Sequence, residues 1–155
     1  MPQKYTSIDQ ASDLKSEALL FLAEMDQDYF PTPWSREAWD KLFQSIGQKY
    51  LLIIAEGDQA IMGFALLDVS VADSFAHLLK IVVSPNFRGL GVGRKILSSS
   101  LKDLSSRGIK SFFLEVEEYN NVAINLYESH GFKIIHKKKH FYSSGANALI
   151  MMRDV

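Results

Sequence analysis

Residues 82–93 read V-V-S-P-N-F-R-G-L-G-V-G, an apolar run followed by a proline and then glycines at alternate positions 89, 91 and 93. Beyond them Val92, Ile96, Leu97, Leu101 and Leu104 recur on one helical face, with Gly108 as terminator, so a strand ending at Val83 passes through a glycine turn into a helix. Lys110 to Val116, K-S-F-F-L-E-V, then reads as a largely buried strand. A strand, a helix and a strand at this spacing predict a locally parallel pair joined by a right-handed crossover.

Working upstream, Tyr50–Ala55, Ala60–Val69 and Phe75–Val83 read as an antiparallel meander with turns at Gly57-Asp58 and at 70–74. Leu14, Ala18, Leu19, Leu22 and Met25 space a first helix as far as Asp28. Pro31 and Pro33 stop it, and Ser35 caps a second helix that should end near Gly47. Downstream, Asn120 caps a helix over 121–130, Gly131 ends it, and Phe132–Lys138 and Ala148–Met152 are the last strands. The order predicts one α/β (α+β) domain over residues 1–155, a mixed sheet of about six or seven strands flanked by about four helices.

Composition narrows the function classes. Hydrophobic residues are 47% and charged residues 23%, the balance of an ordered globule rather than a disordered chain. A formal net charge of -1 supplies no bulk field for nucleic acid. The chain has no cysteine, which removes disulfides, thiolate metal sites and a cysteine nucleophile together. No apolar run is long enough to span a bilayer, and the start of the chain lacks the apolar centre of a signal peptide, so the expectation is a cytoplasmic chain with no membrane partner. Oligomeric state is left open.

The glycine turn fits neither familiar nucleotide motif. Its G-x-G-x-G spacing is not G-x-G-x-x-G, and Gly93 is followed by Arg94-Lys95-Ile96 rather than Lys-Ser/Thr. Two readings remain: a tight structural turn, or a cradle of backbone N–H groups at a helix start that holds phosphate oxygens, with Arg88 and Arg94 adding charge. In the alternating strand, Glu115 points away from the face of Leu114 and Val116. It is either an outward ion-pairing residue or a carboxylate placed to accept a proton, directly or through water. Tyr127, on the next helix in line with Ala123 and His130, either donates a proton or fills the core.

The run V-V-S-P-N-F-R-G-L-G-V-G resembles the acetyl-coenzyme A motif of the GNAT acyltransferase superfamily, Arg/Gln-x-x-Gly-x-Gly/Ala after a central strand, matched by Arg88, Gly91 and Gly93. The later N-x-x-A-x-x-L-Y-E-S-x-G-F of residues 120–132 resembles the second half of the same fold. Within the superfamily, Pro33-Trp34-Ser35, Leu114-Glu115-Val116 and Leu126-Tyr127-Glu128-Ser129 make the chain similar to bacterial ribosomal-protein alanine N-acetyltransferases. The resemblance implies acetyl transfer from acetyl-coenzyme A to a primary amine, with a protein or peptide N-terminus as partner. It implies Glu115 as general base and Tyr127 as general acid. Ile81, Val82 and Val83 would lie beside the pantetheine, and Arg88, Gly89, Leu90, Gly91, Val92, Gly93 and Arg94 would hold the pyrophosphate, with Asn120, Ala123 and Tyr127 also at the coenzyme. The following two strands are expected to splay apart to admit it.

Departures from that group mark the acceptor side. Glu117 stands where a basic residue is usual, Lys80 lies near the expected acceptor channel, and the loop 140–145 lacks a proline after Phe141-Tyr142. Trp34, Lys80, Glu117 and Tyr142 are therefore the acceptor-contacting candidates, although Trp34 with Tyr29 and Phe30 reads rather better as a hydrophobic staple or core anchor than as the lining of a peptide-entry groove. His77, His130, His136 and His140 form no compact ligand set, so they read as surface or packing residues and no metal is expected. Lys137-Lys138-Lys139 is either a phosphate contact or a solvated strand end. A small-molecule amine acetyltransferase and a noncatalytic acyl-coenzyme A sensor are the other functions compatible with the same turn.

Overall fold

The continuous apolar runs in the middle of the chain become strands buried on both faces. In the computed structural model, which describes residues 3–46 and 49–155, these are β2 (Tyr50–Glu56) and β3 (Ile61–Ser70). With β4 (Phe75–Val83) they form the expected meander, and β1 (Lys4–Ile8) adds an edge strand antiparallel to β2. Five residues of weakly alternating K-Y-T-S-I gave no strand signal on their own. Past β4 come α3 (Val92–Ser106), β5 (Ser111–Glu117), α4 (Asn121–Ser129), β6 (Lys133–Lys138) and β7 (Ala148–Asp154). Among the described residues the sheet has seven strands in the order β1-β2-β3-β4-β5-β7-β6, antiparallel except for the β4/β5 pair.

Two helices precede the meander, α1 (Ser16–Tyr29) and α2 (Arg36–Ser45). Ser35 caps α2, its Oγ accepting from Ala38 N at 3.2 Å. The anticipated stop at Gly47 lies outside the described residues. Leu22, Met25, Trp39 and Leu42 from these helices pack on Leu52, Ile54, Phe64 and Leu66 on one sheet face. On the other face Ile96, Leu97 and Leu104 of α3 and Ile124 and Tyr127 of α4 pack on Ile53, Leu67, Phe112 and Leu114. The sheet is thus covered on both sides, as continuously apolar central strands require.

Two departures from regular strand geometry position the site. Leu66 faces Lys80 whereas Leu67 faces Leu78, which leaves Leu79 as an extra residue in β4. This bulge reverses the alternation: Ala76 and Leu78 face α3, and beyond it Val82 and Lys80 face α1 and α2. The second departure is the early end of the parallel ladder. β4 and β5 are in register from Phe75/Ser111 to Leu78/Leu114 and no further, although both strands continue. The two strands therefore part beside Leu79–Val83 and Glu115–Glu117.

The steric need for a glycine falls at Gly63, outside the glycine turn. A Cβ there would meet the Val82 carbonyl oxygen at 2.5 Å and Ile96 Cδ1 at 3.2 Å, so β3 and β4 approach behind the parting strands only without a side chain. Gly63→Ala is expected to lower stability by about 1–3 kcal/mol through overpacking, read as a lower urea midpoint at unchanged m-value.

Candidate active site

At the mouth of the gap the chain turns through Pro85–Phe87 and the glycines into α3. Gly89 and Gly91 have φ of 76° and 81°, and a Cβ at either would meet nothing within 4 Å. Handedness, not crowding, selects glycine at these two positions. Gly91 leaves α3 without a side-chain cap, and among the described residues the N–H groups of Gly89, Leu90, Val92, Gly93 and Arg94 have no partner. Such a row of free donors at a helix start fits a diphosphate. Arg88 Nε donates to the Val83 carbonyl at 3.0 Å, tying the turn to the end of β4, and its guanidinium lies 5.8 Å from the Tyr29 ring centre.

Beyond Leu78 the backbone of Leu79–Val83 has no strand on its β5 side, and Ile81 and Val83 pack against the α3 core while Val82 points the other way. Asn120 caps α4, its Oδ1 accepting from Ala123 N at 3.2 Å, which accounts for this residue structurally and leaves its amide N–H groups for a ligand. An unpaired strand edge leading from free N–H donors into the gap fits the extended arm and diphosphate of coenzyme A.

Phe112, Leu114 and Val116 enter the α3/α4 core, so Phe113, Glu115 and Glu117 face the α1/α2 side. Tyr127 sits on the opposite face, 5% exposed, with its ring 5.9 Å from that of Phe132. Glu115 and Tyr127 therefore lie on opposite faces of the sheet. Tyr142, in the loop between β6 and β7, is within electrostatic reach of charges on both faces. Burial pushes its phenol up to about 12, assisted by the Glu115 and Glu117 carboxylates, and burial followed by the Tyr142 charge raises that of Tyr127 further. The loop is held to β5, since Glu118 N donates to the Asn147 carbonyl at 3.1 Å and Asn147 Nδ2 donates to Glu118 Oε1 at 2.9 Å. Lys137, one of the three consecutive lysines, is paired with Glu118.

Both phenols keep their protons to higher pH in the folded chain than in the unfolded one, where ionisation sets in near about pH 10. The stability they contribute is complete below that pH and is lost as pH rises above it. Tyr127→Phe is expected to flatten the alkaline fall of the urea midpoint relative to the parent chain. Desolvation of Lys80, which outweighs its attraction to Asp26 and lowers its pKa, acts in the opposite sense and is common to both proteins.

The histidines divide differently from the sequence reading. His77 is no simple packing residue. It faces Glu115 across the β4/β5 pair, with Nε2 donating to Oε2 at 2.5 Å, and its ring stacks on Phe113 with centres 4.0 Å apart and planes at 14°. The pairing follows from strand register, which no local pattern encodes.

Lys80 is enclosed, 2% exposed, rather than open to a channel. Its ammonium lies 2.9 Å from Asp26 Oδ1, an ion pair off the straight line of a hydrogen bond, and donates to the Thr32 carbonyl at 3.0 Å. The Phe30 ring centre is 4.2 Å away and that of Trp34 5.2 Å. Asp26 Oδ2 accepts from Trp34 N at 2.8 Å and Trp39 Nε1 at 2.9 Å. Trp34 thus packs, half-buried, against the α1/α2 core, and Lys80 anchors the loop that carries it. Glu117 faces the gap mouth, with Oε2 accepting from Tyr119 N at 3.0 Å. A concavity bordered by His130, Ile135 and Arg153 lies towards the other end of β5 and contains none of these groups.

Comparison with known proteins agrees with this geometry. The chain is 33% identical over 134 residues to the [ribosomal protein bS18]-alanine N-acetyltransferase of Haemophilus ducreyi, covering 84% of this chain and 89% of that protein. It is 28% identical to an N-alpha-acetyltransferase of Sulfurisphaera tokodaii, covering 97% and 78% respectively. The crystal structure of the ribosomal-protein-S18-alanine N-acetyltransferase from Escherichia coli superposes with a TM-score of 0.83 at 27% identity, over 99% of this chain and 94% of that one. With residues 19–132 also matching the family's own pattern, the chain belongs to the acetyltransferase (GNAT) family.

Proposed function

We propose that this acetyl-coenzyme A-dependent N-acetyltransferase acts on the N-terminal α-amine of a protein of the ribosomal-protein kind, with Glu115 as general base and Tyr127 as general acid. The observation that carries the reading is the position of Glu115 where β4 and β5 part, with Glu117 on the same face. Two carboxylates at the mouth of a gap attract an ammonium, and one of them reaches the point where the strands open. The relatives named for alanine and N-alpha acetylation support the choice of a backbone amine over a side-chain one.

When bound, acetyl-coenzyme A supplies an acetyl group activated as a thioester. The free N–H groups of residues 89–94 hold its diphosphate, and the open edge of β4 at Ile81–Val83 receives its arm. An ammonium has no lone pair, so Glu115 takes a proton from the acceptor nitrogen, directly or through one water. Outward N–H groups of β4 beyond Leu78 are placed to polarise the acetyl carbonyl. Tyr127, kept neutral by burial, presents its proton from the opposite face to the departing sulfur. Approach of acceptor and donor from opposite sheet faces fixes their orientation before reaction and removes much of the entropic barrier of encounter.

The test is acetylation of peptides beginning Ala, Ser, Met and Thr beside a free-lysine control, with mass localisation of the added acetyl. Acetyl on the α-nitrogen, strongest for a small first residue, is the expected result. Preference for an internal lysine or for a small polyamine overturns the assignment.

A further inference from the structure

We propose that His77 is a positioning residue for Glu115: its imidazole fixes one carboxylate oxygen so that the other faces the acceptor nitrogen in the gap. The inference rests on Glu115 acting as the base.

The geometry is specific. A carboxylate has no proton to give, so the 2.5 Å contact requires the proton on His77 Nε2, which donates to Glu115 Oε2. Among the described residues Oε1 has no partner and is left for the acceptor. The donor is itself held. His77 stacks on Phe113, and Phe113 on Phe75 with ring centres 4.5 Å apart, so three consecutive planes on one sheet face set the imidazole's angle. Across the other strand, Asp68 of β3 is the register partner of His77, with Lys49 Nζ 3.6 Å from its carboxylate. His77 thus lies between two acidic positions, Asp68 on β3 and Glu115 on β5. It bonds the one nearer the gap. The β4 bulge comes two residues later, after the last registered β4/β5 pair, so the imidazole grips Glu115 where the strands separate.

A free carboxylate rotates about its terminal torsions, and misplacement of a base by about 1 Å costs on the order of 100-fold in rate. Holding Oε2 removes that freedom without occupying the reactive oxygen. In the step it serves, an N–H bond of the acceptor breaks and an O–H bond forms at Glu115 Oε1. The acetyl carbon exchanges its C–S bond for C–N, the sulfur gains a proton, and one net proton leaves to water. His77 keeps its Nε2 proton throughout.

His77→Phe keeps a flat ring for the stack on Phe113 and removes the donor, whereas His77→Gln restores an N–H donor without the ring. For His77→Phe we expect kcat to fall about 10- to 100-fold at unchanged KM for both substrates and unchanged thermal midpoint, with partial recovery in His77→Gln. The double variant His77→Phe/Glu115→Gln should be no slower than Glu115→Gln alone, because the two residues act as a unit. In the intact protein the Nε2 nitrogen NMR signal of His77 should move on Glu115→Gln. Full activity in His77→Phe together with a crippled Glu115→Gln overturns the positioning role and leaves Glu115 as base. Full activity in Glu115→Gln instead removes the base, and the His77 inference with it. A fall in His77→Phe that tracks a lowered thermal midpoint, with no recovery in His77→Gln, assigns His77 to packing.

Discussion

Glu115→Gln is expected to lower kcat/KM by about 100- to 10,000-fold, the usual worth of a positioned general base. The amide is isosteric and stays on the α1/α2 face of β5, so folding and coenzyme binding should be unchanged. What disappears is the carboxylate at the parting of β4 and β5 to which the proposed mechanism assigns proton removal from the acceptor. The loss should shrink as pH rises, because at high pH more acceptor arrives already as the free amine. Steady-state rates against pH with a peptide acceptor check this, and a loss of constant size across pH contradicts the base assignment. The change Tyr127→Phe should cost less. A thiolate is a tolerable leaving group near neutral pH, so protonation helps it depart without being indispensable.

Asp26→Ala is expected to destabilise the chain by about 3–5 kcal/mol, the cost of breaking a buried ion pair from one side. Asp26 is fully buried at the end of α1 and serves three partners at once: Lys80, the Trp34 amide and the Trp39 indole. Removing it strands an ammonium in the core and leaves two N–H donors unpaired, each a separate penalty. The loop from Tyr29 to Ser35 should loosen in consequence, since its Thr32 carbonyl and Trp34 amide are bound to this pair. Urea unfolding measures the effect. Lys80→Met alone should also destabilise, by leaving the Asp26 charge unmatched, whereas a concerted Lys80→Met/Asp26→Leu change should recover part of the loss, because two apolar side chains need no partner. A double variant less stable than either single one would show that the pair contributes through its hydrogen bonds to the loop rather than through charge neutralisation.

Most of the framework was legible because it rests on local patterns. The continuous apolar runs of β2 and β3, the helix spacing after Gly93, and the caps Ser35 and Asn120 each act within a few residues, and all form as expected. β1 was not legible, since a short edge strand is stabilised by its partner β2 rather than by its own periodicity. The glycine turn was legible as a helix start, but the backbone reason for its glycines was not. Positive φ requires them at 89 and 91, and close approach requires Gly63 instead.

The site separates in the same way. Glu115 and Tyr127 stand out in sequence by their chemistry and their place on adjoining elements, and the motif around Arg88 marks the donor side. The partners of these residues depend on register and on one bulge. The extra residue at Leu79 turns Lys80 towards α1, where Asp26 neutralises it, against the alternation that would have placed it beside α3. The parallel pairing of β4 with β5 brings His77 to Glu115 across 38 positions of chain. Sequence alone determined the order of elements and the chemistry on offer, because propensity, capping and motif spacing are short-range. Which side chains meet, which are shut away from solvent and where the two strands open were decided only by tertiary structure, because long-range pairing selects one register and one face among many that the local pattern permits.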